Sequence, residues 1–393
     1  MNILFVSTGY PKRGESTTGF PNYLYRVSLS LIQFGHKPVI LTVGEWDSHR
    51  IEQDIEIWTV KIPIYHSYKS QVVNYALNAL HISYGLNVKI KELLGKMHID
   101  IIQFTSLSGV ALFYHGKIPA ILRLSSYAKT AFSSYQTYSQ DVVKIMALIE
   151  RLSSHRCNAI FSPCRKNAIV FGNDCGRNVK VIETPFINDV SEYDWQYYDE
   201  YLMGKKYVLF FGTLYAEKGI LVIAEILEKF LENNSEYYFV FAGDVCYING
   251  QSAVSILKKK SGKCVNRVIF FNALPHKQLY PVICKADFVI LPSLMENLSN
   301  ACIEAMYFKK VVIGTDGASF EQLIMHGING LLCQIGNPQD LFEKMQIAKN
   351  MSEREKKVMG EQAKKRIDKL RPEYTVEKLI KLYEYVILNN SHR

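Results

Sequence analysis

Short apolar runs of strand length alternate with longer stretches in which apolar residues recur every three or four positions, and this happens twice along the chain. The first series runs NILFVS, a helical stretch after Gly19, then PVILTV, IEIWTV, IDIIQF, AILRL, AIFSP and VKVIE. Strand, helix and strand at this spacing predict a parallel, doubly wound sheet. Residues 186–206, FINDVSEYDWQYYDEYLMGKK, break the alternation with acids and tyrosines of no clear period and read as a linker. The pattern then restarts with YVLFFG, YYFVFAGD, RVIFF, DFVILPS, KVVIGT and NGLLC. The predicted class is α/β, with two Rossmann-like domains over residues 1–188 and 205–370. From about 338 onward the pattern is helical. Its last segment, about 373–390, is long and amphipathic and is expected to pack back on the first domain.

Length supports the division, because 393 residues exceed what one hydrophobic core usually serves. Hydrophobic residues at 48% and charged residues at 21% exclude a disordered chain. The apolar runs are well short of the roughly 20 residues that span a bilayer. MNILFVSTGYP has neither the basic nor the apolar region of a signal peptide, so a cytoplasmic protein is expected. Eight cysteines scattered singly, with no CxxC, predict reduced thiols and no zinc site. The net charge of +9 is uneven: residues 1–190 carry 20 Lys and Arg against 13 Asp and Glu. A basic half suits nucleic acid, an anionic membrane surface or a phosphorylated substrate. No nucleic-acid motif accompanies it, which leaves the last two.

The segment with the most chemistry is LPSLMENLSNACIEAM at 291–306. Glu296 and Glu304 on one helix would be separated by about 12 Å of rise. That is too far to share one bond as a glycosidase pair does at about 5 Å, so the two have different tasks. The segment begins as a strand and ends as a helix. Ligands of parallel sheets bind at the carboxyl ends of strands, and a helix starting there favours an anion such as phosphate. Asn297, Ser299 and Asn300 are all competent N-caps, and the pattern does not choose among them. Glu304 falls one to two turns into the helix, where its carboxylate can accept from a ribose diol. Glu296, before the helix, faces whatever lies beyond the phosphates. Taken alone, the two read first as a solvated loop acid and a solvated helix acid, and Lys218 and Arg123 could be exposed charges. His36 in FGHKP reads as structural.

The segment resembles the E-x7-E signature of retaining GT-B glycosyltransferases, in particular the large family 4 group that uses nucleotide-diphosphate sugars. FFGTLYAEKGI at 210–220 is similar to that family's strand–turn–Lys-Gly segment, which cradles the donor diphosphate. YPVICKADFVILPS and VVIGTDGASFEQLIMHGINGLL resemble the stretches before and after the signature, and TGFPNYLYRVSLSLIQFGHKPVILT the opening glycine loop, helix and strand. The resemblance spans residues 1 to about 335. It implies a GT-B fold whose two domains face a central cleft, the first binding the acceptor and the second the nucleotide-sugar. It also implies retention of configuration and neither metal nor other cofactor. Glu296 and Lys218 are the implied catalytic residues. Gly212, Thr213, Lys218, Gly243, Asn297, Leu298, Ser299 and Glu304 are the implied donor contacts, and Gly19, Arg123 and Ser125 lie near the acceptor or sugar. Thr213 stands where the family usually has Arg, and Ser125 or Ser126 in the region where many members have His. A hydroxyl with backbone N–H groups can still bind phosphate.

The expected partners are a nucleotide-sugar, a glycan or polyprenyl-diphosphate-linked acceptor and an anionic inner-membrane face, with no nucleic acid. Cell-surface polysaccharide biosynthesis is the expected setting. Two other readings use the same fold: an accessory protein that binds nucleotide-sugar without transferring it, and a nucleotide-sugar epimerase.

Overall fold

The computed structural model describes residues 1–10, 20–65, 68–132, 138–188 and 190–390, which form two compact units. The first comprises β1 (Asn2–Val6), α1 (Phe20–Gln33), β2 (Lys37–Gly44), β3 (Ser48–Glu52), β4 (Ile55–Lys61), α2 (Gln71–Leu94), β5 (Ile101–Thr105), β6 (Ala120–Arg123), α3 (Ala128–Ala131), α4 (Gln140–Ser154), β7 (Ala159–Ser162), α5 (Arg165–Cys175) and β8 (Val179–Val181). Its sheet has the order β3-β4-β2-β1-β5-β6-β7-β8. All neighbours are parallel except β3 and β4. β1 and β5 are buried along nearly their whole length, because helices cover both faces of a parallel sheet. β3, with the sequence SHRIE, is the antiparallel edge strand that the alternation does not reveal. Its charges are typical of an edge that must not pair further.

The second unit comprises α6 (Gln196–Tyr201), β9 (Lys206–Phe211), α7 (Ile220–Asn233), β10 (Tyr237–Ala242), the hairpin β11 (Tyr247–Ile248) and β12 (Gln251–Ser252), α8 (Ala253–Lys260), β13 (Val268–Phe271), α9 (His276–Lys285), β14 (Phe288–Leu291), α10 (Asn300–Tyr307), β15 (Val312–Asp316), β16 (Leu331–Gln334), α11 (Pro338–Asn350) and α12 (Glu353–Asp368). The sheet is wholly parallel in the order β13-β10-β9-β14-β15-β16. Numbered by position in the chain this is 3-2-1-4-5-6, the Rossmann order. α6 lies inside the segment 186–206 read as a linker. Tyr197 and Tyr201, one turn apart, pack their rings on Phe271 and so hold that turn.

The last helix, α13 (Pro372–Asn390), belongs to the first unit. Val376, Leu379, Tyr383 and Val386 enter the core formed by Ile3, Phe5, Ile121 and Phe161. Fully burying one such side chain is worth about 1.5–3 kcal/mol. Tyr383 Oη donates to Gln103 Oε1 at 2.6 Å, and Gln103 Nε2 donates to Tyr23 Oη at 3.1 Å, tying α13 to β5 and α1 through a buried polar chain.

Candidate functional site

In the second sheet the strand order reverses between β9 and β14, so crossover connections leave their carboxyl ends in opposite directions and open a crevice there. Two glycines bring the backbone close at this point. A Cβ on Gly243, just after β10, would lie 2.0 Å from Gly212 O, just after β9. Gly212 N–H donates to Ala242 O and Leu214 N–H to Asp244 O, both at 2.9 Å, so the two strand ends run on as one platform carrying Thr213. The chain then turns through Ala216–Lys218 into Gly219, which has φ 79° and so favours a residue without Cβ. A Cβ there would lie 2.0 Å from Pro292 O. Gly219 therefore lets the loop after β9 rest directly on the end of β14, and Leu294 N–H donates to Glu217 O at 2.8 Å across that contact.

This contact brings together two residues that the sequence separates. Lys218 Nζ lies 2.5 Å from Glu296 Oε1, and Ser293 Oγ donates to the same oxygen at 3.1 Å. The carboxylate is 12% exposed and the lysine 34%. Of the three competent caps, Ser299 is the one used: its Oγ accepts from Cys302 N–H at 3.3 Å and starts α10. Asn297 and Leu298 are half-buried in the turn before it.

Glu304 is 5% exposed, so it is not a solvated helix acid. Its Oε1 lies 3.5 Å from Nε2 of His276, which begins α9 and stacks on Tyr280 with ring centroids 5.0 Å apart. His276 is absent from the sequence-based set, since nothing in the spacing of LPHKQLY ties it to a glutamate in another helix. Lys218, Glu296, Ser299 and Glu304 thus come from the β9 loop, the β14 turn and α10, around one switch point.

The first-unit candidates form their own group. Arg123 ends β6 and is buried, with its guanidinium 3.7 Å from the centre of the Tyr23 ring. Nη1 donates to Ser125 Oγ at 3.0 Å and Nη2 to Thr184 Oγ1 at 3.2 Å. Burial pulls its pKa down to about 10. It is therefore an interior group that fixes Ser125 rather than a surface charge. Ser125 is also held by Thr105 Oγ1 at 2.9 Å and by Ser106 Oγ, which accepts from its N–H at 3.2 Å. Gly19 lies outside the described residues.

One helix face of the first unit carries a pattern the sequence reading did not extract. α2 buries Ala79, Ile82, Leu86, Ile90 and Leu93 on one side. On the opposite side Val73, Leu77, Leu80, Tyr84 and Val88 stand 37–58% exposed. No charged residue occurs from 71 to 88. Asn78 Nδ2 donates to Tyr65 O at 2.8 Å and Asn74 Nδ2 to Tyr68 O at 2.6 Å, which hold exposed Tyr65 and Tyr68 beside this stripe. No helix is long and apolar enough to cross a membrane among the described residues. Among them, too, no three His, Cys, Asp or Glu side chains gather as metal ligands.

Two doubly wound sheets, the second in Rossmann order with a Lys-Gly loop and an E-x7-E turn at its switch point, are the features of the GT-B class of glycosyltransferase. Residues 200–366 match the family of glycosyl transferases group 1. Over 98% of both chains, the protein is 25% identical to an uncharacterized glycosyltransferase of Methanocaldococcus jannaschii. The fold is similar to sucrose-phosphate synthase from Thermosynechococcus elongatus, with a TM-score of 0.78 and 14% identity over 99% of both chains. It is also similar to the Anabaena protein HepE in complex with UDP and glucose, with a TM-score of 0.73 and 16% identity over 98% of this chain and 100% of that one. The second unit thus carries the match to the glycosyl transferases group 1, within a chain whose two parallel Rossmann-like sheets match the GT-B fold.

Proposed function

We propose that the second domain binds the nucleotide-sugar at the β9/β14 switch point and that the protein transfers the sugar with retention of configuration to a glycan or lipid-linked acceptor held by the first domain. The observation that carries this reading is the Lys218–Glu296 pair beside the Ser299-capped start of α10. Without ligand the ammonium is neutralised by the carboxylate. A donor diphosphate, with more charge than one carboxylate, draws Lys218 toward its oxygens, while the unpaired N–H groups at the start of α10 and the Gly212–Thr213 platform take others. Glu304 accepts from the ribose hydroxyls. Glu296, relieved of part of its lysine contact, accepts from hydroxyls of the sugar and fixes its orientation.

In the transfer step the bond from the anomeric carbon to the diphosphate oxygen breaks as the acceptor oxygen attacks from the same face, and the acceptor's proton passes to the departing phosphate oxygen. Charge developing on that phosphate is met by Lys218 and the α10 N–H groups, which do not have to reorganise; this is the largest kind of contribution an active site makes. Thr213, through its hydroxyl and its own N–H, supplies phosphate contacts where an arginine is usual.

The uncharged exposed stripe of α2 supports an acceptor presented at a membrane. An apolar helix face flanked by tyrosines, on a basic half-molecule, suits the interface of an anionic leaflet. Lipid-linked glycan assembly for the cell surface is the setting that follows. Release of free nucleotide from UDP-sugar or GDP-sugar only when acceptor is added supports transfer; UDP is the first to try, since HepE binds it. Binding of the donor with no release even when acceptor is present, or conversion of the sugar within the donor, would favour the accessory or epimerase reading. Leu77→Glu with Tyr84→Glu should abolish co-sedimentation with anionic vesicles, and retention by that variant would remove α2 from the membrane contact.

A further inference from the structure

At the end of the second sheet opposite the switch point, the amino ends of β9, β14 and β15 border a hollow of about 600 Å³. Each strand is entered through lysine: Lys205 before β9 and Lys206 as its first residue, Lys285 shortly before β14, Lys309 and Lys310 before β15. α12 adds Lys356 and Lys357. Asp287 and Glu353 are the acids of the lining, and Lys356 engages both, at 2.5 Å and 3.5 Å. Tyr237 Oη also donates to Asp287, at 2.5 Å. Lys309 pairs with Glu361 at 2.7 Å.

That leaves Lys205, Lys206, Lys285, Lys310 and Lys357 without an ion pair among the described residues. Lys310 donates to Ala286 O at 3.0 Å, and burial holds its ammonium below the usual lysine range. The carboxyl ends of α9 and α10 face the hollow through Lys285 and Phe308, and a helix end contributes about half a negative charge. Two ends offset about one lysine and the second carboxylate on Lys356 offsets another, which leaves roughly three uncompensated positive charges within one hollow. At about 10 Å, the screening distance at 0.1 M salt, such charges still repel each other, and a bound anion relieves that repulsion. Ammonium groups act as point charges toward phosphate, and this number of them exceeds what one phosphate neutralises.

We propose that this hollow is a second anion site, separate from the donor crevice, for a ligand carrying two or more phosphate groups close together, whether a soluble compound or a phospholipid headgroup. The test uses the full-length protein and inorganic tripolyphosphate, followed by calorimetry. Lys206→Gln with Lys357→Gln, both exposed positions, should weaken binding more than about tenfold, the loss expected when two charge-assisted contacts go. Lys218→Ala, which disables phosphate binding in the donor crevice, should leave this binding in place. Lys285→Gln serves as an independent variant should the pair lower the unliganded melting temperature. Vesicles containing a phosphorylated inositol lipid distinguish the sources: sedimentation that the double variant loses assigns a headgroup, and tripolyphosphate binding without that difference assigns a soluble ligand. Absence of tripolyphosphate binding, its loss in Lys218→Ala, or its retention at wild-type strength in the double and Lys285→Gln variants overturns the proposal.

Discussion

Glu296→Gln separates the two functions that meet at the switch point. The pair distance of 2.5 Å corresponds to a bare attraction of about 7 kcal/mol at an effective dielectric constant of 20. With Lys218 one-third exposed, solvent screening and side-chain ordering reduce the net value to about 1 kcal/mol or less. Glutamine preserves the shape and can still accept from Ser293 Oγ, but it no longer competes with phosphate for the lysine. Affinity for free UDP, the probe nucleotide, should therefore rise about two- to fivefold, the equivalent of 0.5–1 kcal/mol. Turnover with donor and acceptor should fall by about ten- to a hundredfold, because a charge-assisted contact to the sugar, worth about 1.5–3 kcal/mol, is lost where it matters in the transition state. Calorimetry with the nucleotide and initial rates with the complete donor read the two effects separately. A Glu296→Gln protein that binds free nucleotide tenfold more weakly, or that turns over like wild type, refutes the division of labour.

Further outcomes follow from the same geometry. Glu304→Gln should weaken free nucleotide and intact donor alike, by about 1–3 kcal/mol, which calorimetry with both ligands checks. Glu150 is 3% exposed, accepts from Ala128 N–H at 3.0 Å, and is pushed up to about 8 by burial from an ordinary value of 4.5. The folded form thus keeps a proton that the unfolded chain gives up above pH 4.5, so this group's stabilising effect is lost as pH rises from 4.5 to 8 and then levels off. Glu150→Gln should flatten that slope, a change of a few kcal/mol at about 1.4 per pH unit, seen in melting temperatures at pH 5 and pH 8. Gly219→Ala should cost about 3 kcal/mol in urea unfolding, because its Cβ meets Pro292 O; a loss under about 1 kcal/mol would show that the β9 loop rests elsewhere.

The strands that build both parallel sheets were legible because burial on two faces turns them into unbroken apolar runs bounded by Gly, Pro or Lys. What escaped was structure that depends on a partner. β3 is too polar to stand out and exists because β4 pairs with it. The hairpin of β11 and β12 has Asn249 and Gly250, both at positive φ, in its turn; that dipeptide is a strong signal, but its strands are two residues long. α6 owes its place to Phe271.

In the site, the spacing of Glu296 and Glu304 and the Lys-Gly turn were readable because they are local. The pairing of Lys218 with Glu296 spans 78 positions and arises only when Gly219 lets one loop lie on the other strand. His276 beside Glu304 is a contact between helices that follow different strands. The lysine pairs before β9 and β15 each look like ordinary solvated charge until the strand order sets them side by side.

The claim on which the account rests is that a nucleotide-sugar binds at the β9/β14 switch point through Lys218, and a thermal-shift series measures this most directly. Purified protein and its Lys218→Ala variant would be heated with UDP-, GDP-, ADP- and CMP-sugars, each at saturating concentration. A ligand present at 100 times its dissociation constant adds about 2.7 kcal/mol of stability. The account predicts a clear rise in melting temperature with one base class in the wild type and its loss or marked reduction in Lys218→Ala. No rise with any donor, or an equal rise in the variant, would contradict it.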